Sequence, residues 1–227
     1  MSEGKNISVL FIGKKNDFYC EQAMNFVKSH FGEVTVELGK RGESFPEETG
    51  WWKGDYIFSY LSPWIIPDSL LARAKVAAIN FHPGPPEYPG IGCTNFAIYQ
   101  QEKQFGVTCH HMAAKVDTGE MIAVSRFPLF PSDSVSSLTQ RCYAHILTLF
   151  YEIVSGILEG KSLPQSPETW KRKPYKRVEL NELCRITPNM TEEEIKKRVR
   201  ATTFPGMPGA YVELSGFQFV LGQVATL

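Results

Sequence analysis

Asn80 and His82 stand two residues apart at the end of the apolar run Val76-Ala77-Ala78-Ile79-Asn80-Phe81. On a strand, that spacing sends both side chains to the same side. Further along, Asp117 lies in Lys115-Val116-Asp117-Thr118-Gly119. A carboxylate beside a histidine can fix the orientation of the ring, stabilise its charged form and relay a proton. The three residues therefore outline acid–base chemistry around an amide donor. Each also has an ordinary structural use, Asn and His as caps of a strand end and Asp-Thr-Gly as turn chemistry.

Immediately after His82, residues 83–92 hold four prolines and three glycines. Such a loop is stiff yet allows close approach of a ligand, and it also serves as a plain surface turn. His110 and His111 are adjacent in a β-like run, one inward and one outward, and read as strand residues rather than metal ligands.

The elements that must hold these residues follow from periodicity. Ile7 to Ile12 is a β-rich run closed by Gly13, and CEQAMNFVKSHFG has apolar residues at helical spacing and ends at Gly32. Val34 to Leu38, Tyr56 to Ser59 and Val76 to Phe81 read as further strands. Strands alternating with helices predict an α/β fold: a Rossmann-like, mostly parallel twisted sheet with helices on both faces. Ligands in such sheets sit beyond the carboxyl ends of strands, which is where Asn80 and His82 fall.

After residue 104, two β-like runs flank a polar connection. Ser134 or Ser136 then caps the long amphipathic stretch VSSLTQRCYAHILTLFYEIVSGILEG, and Gly160 ends it. Beyond a Pro-rich basic segment come a helix in TEEEIKKRVRA and a β-like tail turning at Gly216. These predict a core over residues 1–178 and a small C-terminal β-containing subdomain over 179–227.

Composition removes several function classes. Basic and acidic residues number 24 each, so no global field gathers nucleic acid, and an anionic ligand must be met locally. Five scattered cysteines form no C-x-x-C pair, which argues against a disulfide framework and against a metal site. The opening apolar run is too short for a signal segment, and no stretch of about 18 apolar residues would cross a membrane. A cytoplasmic protein without membrane or nucleic-acid partners is expected.

The combination resembles a known family. Asn-x-His-Pro with its Tyr88-Pro89-Gly90 loop, Gly106-Val107-Thr108-x-His110, Val116-Asp117-Thr118-Gly119 and the run Ser59 to Pro67 are together similar to the catalytic core of the folate-dependent formyltransferases. NFHPGPPEYPGIGC, the Lys15-Asn16-Asp17-x-x-Cys20 stretch, and the Arg200 to Pro205 and Gly209 to Tyr211 segments resemble the sugar N-formyltransferase branch. Gly13-Lys14-Lys15-Asn16-Asp17 departs from the phosphate loop of the glycinamide ribonucleotide branch. The tail is too short for the C-terminal barrel of the methionyl-tRNA branch.

That resemblance implies transfer of a formyl group from N10-formyltetrahydrofolate, without a metal, to the amine of a nucleotide-linked amino sugar, with dTDP-4-amino-4,6-dideoxyglucose the preferred acceptor. It implies catalytic Asn80, His82 and Asp117, and folate walls at Leu61, Ser62, Trp64, Ile65, Ile66, Ala113, Ala114 and Val116. For the acceptor it points to Gly84, Pro85, Tyr88 and Phe204. The basic, aromatic run Trp170, Lys171, Arg172, Lys173 and Tyr175 could stack a thymine and hold a diphosphate, or be a solvated linker. Lys14, Lys15 and Asn16 are second candidates for the diphosphate. A homodimer is implied as well. The other readings are a formyltransferase for a 3-amino sugar, glycinamide ribonucleotide or methionyl-tRNA, and a catalytically silent nucleotide-binding module.

Overall fold

The computed structural model describes residues 6–222. A six-stranded sheet is built from β1 (Ser8–Lys14), β2 (Glu33–Gly39), β3 (Gly54–Tyr60), β4 (Ala74–His82), β5 (Gln104–His111) and β6 (Met121–Pro128), in the order β2-β1-β3-β4-β5-β6. The first four strands are parallel, whereas β5 runs antiparallel to both β4 and β6. The mostly parallel sheet predicted from the alternating runs is present.

Strand alternation sorts side chains to two unlike faces. Val9, Phe11, Phe58, Ile79, Phe81 and Val107 belong to a large core covered by α1 (Phe18–His30) and α4 (Val135–Leu158). On the opposite face, Leu10, Ile12 and Ile57 are covered by Leu70 of α2 (Asp68–Leu71) and by loop residues such as Phe45, Trp52 and Trp64. Asn80 and His82 alternate with Ile79 and Phe81 and so emerge on this thinly covered face.

Local chemistry explains the helix starts. The Asp17 carboxylate accepts from the Cys20 N–H at 3.1 Å to cap α1. Of the two serines considered for α4, Ser134 is the cap, in a reciprocal box with Ser137.

The C-terminal part contains α5 (Arg177–Cys184), β7 (Arg185–Ile186), α6 (Glu192–Thr202), β8 (Tyr211–Leu214) and β9 (Phe217–Val220). Strands β7 to β9 form their own three-stranded sheet, turned at Ser215 and Gly216, both with positive φ. The sequence reading has no helix where α5 forms, because a helix of eight residues carries little periodicity. A boundary at 178/179 falls inside α5. Leu183 and Ala201 are buried in the main core, and Asn95 Nδ2 donates to the Ala201 carbonyl at 2.8 Å.

Candidate active site

Two segments converge on the thin face at the end of β4. One is the strand end itself, bearing Asn80 and His82. The other is the connection between β5 and β6, pinned where Met112 N–H donates to Ala78 O and His111 N–H to Glu120 O. Asp117 sits on that connection with φ 47°, a left-handed conformation that Asp tolerates better than most residues.

The structure brings the three residues into one cluster. Asp117 Oδ2 lies 3.2 Å from His82 Nδ1 and accepts from the Gly90 N–H at 2.7 Å. Its Oδ1 faces Asn80 Nδ2 at 3.5 Å and His110 Nε2 at 3.3 Å. His82 and Asp117 are buried, while Asn80 keeps partial access to solvent. The second ring nitrogen of His82, Nε2, faces the Tyr88 carbonyl at 3.0 Å. Both partners of this ring are acceptors, so each is satisfied only when the nitrogen facing it carries a proton.

His110 is a member of the cluster that sequence reasoning assigned to the strand alone. It pairs with Asn80 in the β4–β5 register, on the same face. Its Nδ1–H donates to the His111 carbonyl at 2.7 Å, which leaves Nε2 of the neutral ring to accept from Asn80 Nδ2 at 3.0 Å. With Nε2 protonated, the ring donates to Asp117 instead. The signal lay in the antiparallel register, which a linear reading of one strand does not supply.

Burial alone would raise the Asp117 carboxyl. The positive charge of His82, the hydrogen bond and charge of His110 and the Gly90 N–H outweigh it and hold the group down at about 2. Asp117 therefore stays ionised at neutral pH and anchors the two imidazoles.

Several residues expected to touch an acceptor have other uses. Gly84 and Pro85 are buried, and a Cβ on Gly84 would lie 2.7 Å from His82 Nε2, so the loop backs onto the histidine. Tyr88 is buried, and its hydroxyl lies 2.7 Å from Gln100 Oε1 and 2.8 Å from Glu102 Oε1. Tyr175 is also buried, stacked on Phe96 at 3.7 Å between centroids, and so has no open ring face for a base. Trp170 turns toward the cluster, with its Nε1–H donating to Gly119 O at 2.9 Å. Arg172 is tied to Glu179 at 2.8 Å, and Lys171 and Lys173 are exposed. Of the two aromatic rings of this basic run, that of Tyr175 is taken up by packing and that of Trp170 is half-buried.

The expected folate walls flank the cluster's surface unequally. Leu61 begins its loop with φ 52°, uncommon for a bulky side chain, and Ser62 caps the loop by accepting from the Trp64 N–H at 3.2 Å. Trp64 packs over Gly39 and donates from Nε1 to Glu43 O at 2.8 Å, while Ile66 joins the smaller core. Ile65 is 74% exposed, and Ala113, Ala114 and Val116 are exposed too. These residues present apolar surface on the same loops that hold Asp117 and end β3.

A cleft of about 580 Å³ opens where the β1 end, α3 (Cys93–Tyr99), α5 and the C-terminal sheet meet. Its lining includes Lys14, Arg41 and Arg177 and no carboxylate, together with Tyr143, Phe204, Tyr211, Asn95, Asn181 and Gln218. Lys14 lies 5.2 Å from the Tyr143 ring centre and pairs with Asp17 at 2.8 Å, beside the cleft. Lys15 and Asn16, also expected here, are exposed and outside the lining. Lys14 and Phe204 are thus brought into one cavity, whereas Arg41 and Arg177 become visible only in three dimensions. Among the described residues, no group of His, Cys, Asp and Glu is arranged to hold a metal ion.

Comparison with known proteins bears on this arrangement. Methionyl-tRNA formyltransferase of Latilactobacillus sakei is 28% identical over 66% of this chain and 47% of its own length. GDP-perosamine N-formyltransferase of Brucella melitensis is 28% identical over 71% of this chain and 62% of its own. The chain thus spans about half to three fifths of the curated relatives it matches. Among solved structures, the N-formyltransferase of Helicobacter canadensis, in complex with folinic acid and dTDP-3-aminofucose, superposes with a TM-score of 0.71 at 21% identity, covering 92% of this chain and 85% of its own. Residues 54–152 match the formyl transferase family model, a span that contains Asn80, His82, His110 and Asp117, and the chain shares the fold of the solved N-formyltransferases.

Proposed function

We propose that the protein transfers a formyl group from N10-formyltetrahydrofolate to the amine of a nucleotide-linked amino sugar. The observation that carries the acceptor is the cation-lined cleft without carboxylates. A neutral chain must concentrate charge locally to bind a diphosphate, and Lys14, Arg41 and Arg177 do so beside aromatic and amide side chains. Gly92, two residues beyond the Gly90 N–H that binds Asp117, lines the same cleft. The solved relative with dTDP-3-aminofucose and the curated one named for GDP-perosamine support this acceptor class.

In this reading, Asn80, which keeps partial access to solvent, releases the N–H it gives to His110 when the His110 Nε2 is protonated, and turns it to the oxyanion of the tetrahedral intermediate. Asp117 remains a carboxylate, so the proton shed by the attacking amine goes to imidazole rather than to Asp117. Tyr88 O and Asp117 Oδ2 stand ready to accept from the ring nitrogens of His82 as it gains that proton. The proton then leaves with N10 of tetrahydrofolate. Folate lies against Leu61 to Ile66 and Ala113 to Val116.

Our preferred acceptor is dTDP-4-amino-4,6-dideoxyglucose, used in the cytoplasm for cell-surface glycan of O-antigen type. Assembly is proposed to be a homodimer of two copies through the C-terminal sheet. Among the described residues β9 is an edge strand of that sheet, and the exposed Leu214, Phe217 and Phe219 present apolar side chains on one side. Light scattering of wild type and Phe219→Glu tests the dimer.

The deciding assay supplies N10-formyltetrahydrofolate with dTDP-, UDP- and GDP-linked 3-amino and 4-amino sugars, glycinamide ribonucleotide and methionyl-tRNA. Mass spectrometry should find a formylated sugar nucleotide. Formylation of glycinamide ribonucleotide or methionyl-tRNA alone would overturn the acceptor. Binding of folate and dTDP without any product would favour a silent binding module.

A further inference from the structure

We infer that Trp170 is a positioning residue for the His82–Asp117–His110 cluster rather than a platform for a nucleobase. Its indole meets both imidazoles edge-on, with centroids 5.0 Å from His110 at 86° and 5.8 Å from His82 at 75°. One apolar ring thus covers both histidines that face the buried carboxylate. Its only polar atom is used within the protein, as Nε1–H donates to the carbonyl of Gly119, two residues beyond Asp117.

The segment carrying Trp170 straps the two halves of the site together. On one side, Ser166 N–H donates to Met121 O at 2.9 Å, next to the Trp170–Gly119 bond. On the other, Lys171 N–H donates to Pro86 O at 3.0 Å and Tyr175 N–H to Pro89 O at 2.9 Å. The first set holds the loop that bears Asp117. The second holds the Pro/Gly loop whose Tyr88 carbonyl faces His82. Trp170 sits between them, so it links the two loops whose separation sets the His82–Asp117 contact.

The indole does two things at this place. It keeps water from the imidazole–carboxylate pair, whose attraction weakens roughly fourfold as an effective dielectric near 20 gives way to that of water. It also ties the return of the Asp117 loop, and catalytic groups displaced by about 1 Å can lose on the order of a hundredfold in rate.

The inference rests on the formyl-transfer reading for its kinetic test, and on geometry alone for its spectroscopic one. Trp170→Ala is expected to lower kcat roughly ten- to a hundredfold, with KM for both substrates within about threefold of wild type. Trp170→Phe keeps the apolar cover, loses the bond to Gly119 and should fall between the two. A raised KM for the sugar nucleotide with kcat unchanged would overturn the inference and return Trp170 to the acceptor. A protonated imidazole in contact with indole quenches its fluorescence. The emission difference between wild type and Trp170→Phe should therefore change with pH, and that dependence should differ in Asp117→Asn. A pH-independent difference would refute the contact with the imidazoles. Absence of formyl transfer by wild type would defeat the functional reading, while the fluorescence would still decide where Trp170 lies.

Discussion

The polar cluster at the end of β4 and the cleft at the end of β1 are built in opposite ways. In the cluster, His82, Asp117 and His110 are buried and face one another, the backbone or Trp170. In the cleft, cations and aromatic rings line about 580 Å³ of open space, with no carboxylate in the lining and, among the described residues, only Lys14 paired, to Asp17 beside it. A site whose polar atoms already have partners is preorganised for chemistry, because little reorientation remains when charge develops. One whose charges face open space is arranged to receive a ligand. Substitutions in the first region should therefore strike kcat, and those in the second KM.

The largest effect should follow removal of the cluster's own groups. Asn80→Ala and His82→Ala are expected to reduce kcat by about a hundred- to ten-thousandfold with the fold retained by circular dichroism. Substantial turnover in either folded variant would move the chemistry elsewhere. Gly84→Ala probes the same region through packing, since the new Cβ would lie 2.7 Å from His82 Nε2 and 2.9 Å from Cys93 Cβ. We expect roughly a hundredfold loss of kcat, with acceptor KM little changed.

In the cleft, Arg177→Ala or Lys14→Ala should raise acceptor KM about ten- to a hundredfold, the equivalent of one charge-assisted hydrogen bond, and leave kcat within a few fold. If both variants instead lost kcat alone, the division between the regions would fail. A weaker signature belongs to Asp117 in stability. Its folded value is depressed to about 2, below the usual aspartate value. Its contribution is therefore complete above about pH 4 and lost as pH falls toward 2, with a total on the order of 2 kcal/mol. Thermal melts of wild type should decline more steeply across that window than those of Asp117→Asn. The smallest effect is expected from Lys171→Ala or Lys173→Ala, exposed on the strap, at less than about threefold in either constant. A large rise in acceptor KM there would make the basic segment part of the acceptor site after all.

The fold was largely legible because strand alternation and helical periodicity are local signals. Val76 to Phe81 alternates so that Ile79 and Phe81 enter the core while Asn80 emerges with His82 on the other face, as the structure has it. Ser134 announced α4 through a box closed within three residues. Helix α5 escaped because its eight residues are too few to carry a clear period. In the site, the spacing of Asn80 and His82 and the later Asp-Thr-Gly pointed to residues that do meet. His110 was missed because its contact with Asn80 depends on the β4–β5 register. Trp170 and Tyr175 read as stacking candidates because an aromatic ring suits a base and a protein core equally well, and the structure shows Tyr175 packed on Phe96.

By itself, the sequence determined which residues could share a face and where chains must turn: the Asn80–His82 pair, the stiff loop behind it and the carboxylate later in the chain. These follow from covalent geometry and near-neighbour periodicity, which act within a few residues. Only the tertiary structure decided partners across long separations. It set Asp117 between two imidazoles, turned Trp170 onto them, and drew Lys14, Arg41 and Arg177 into one cleft. The physical reason is that a side chain's type sets what it can bind, whereas the packing of distant segments determines whether a ligand or the protein occupies that role.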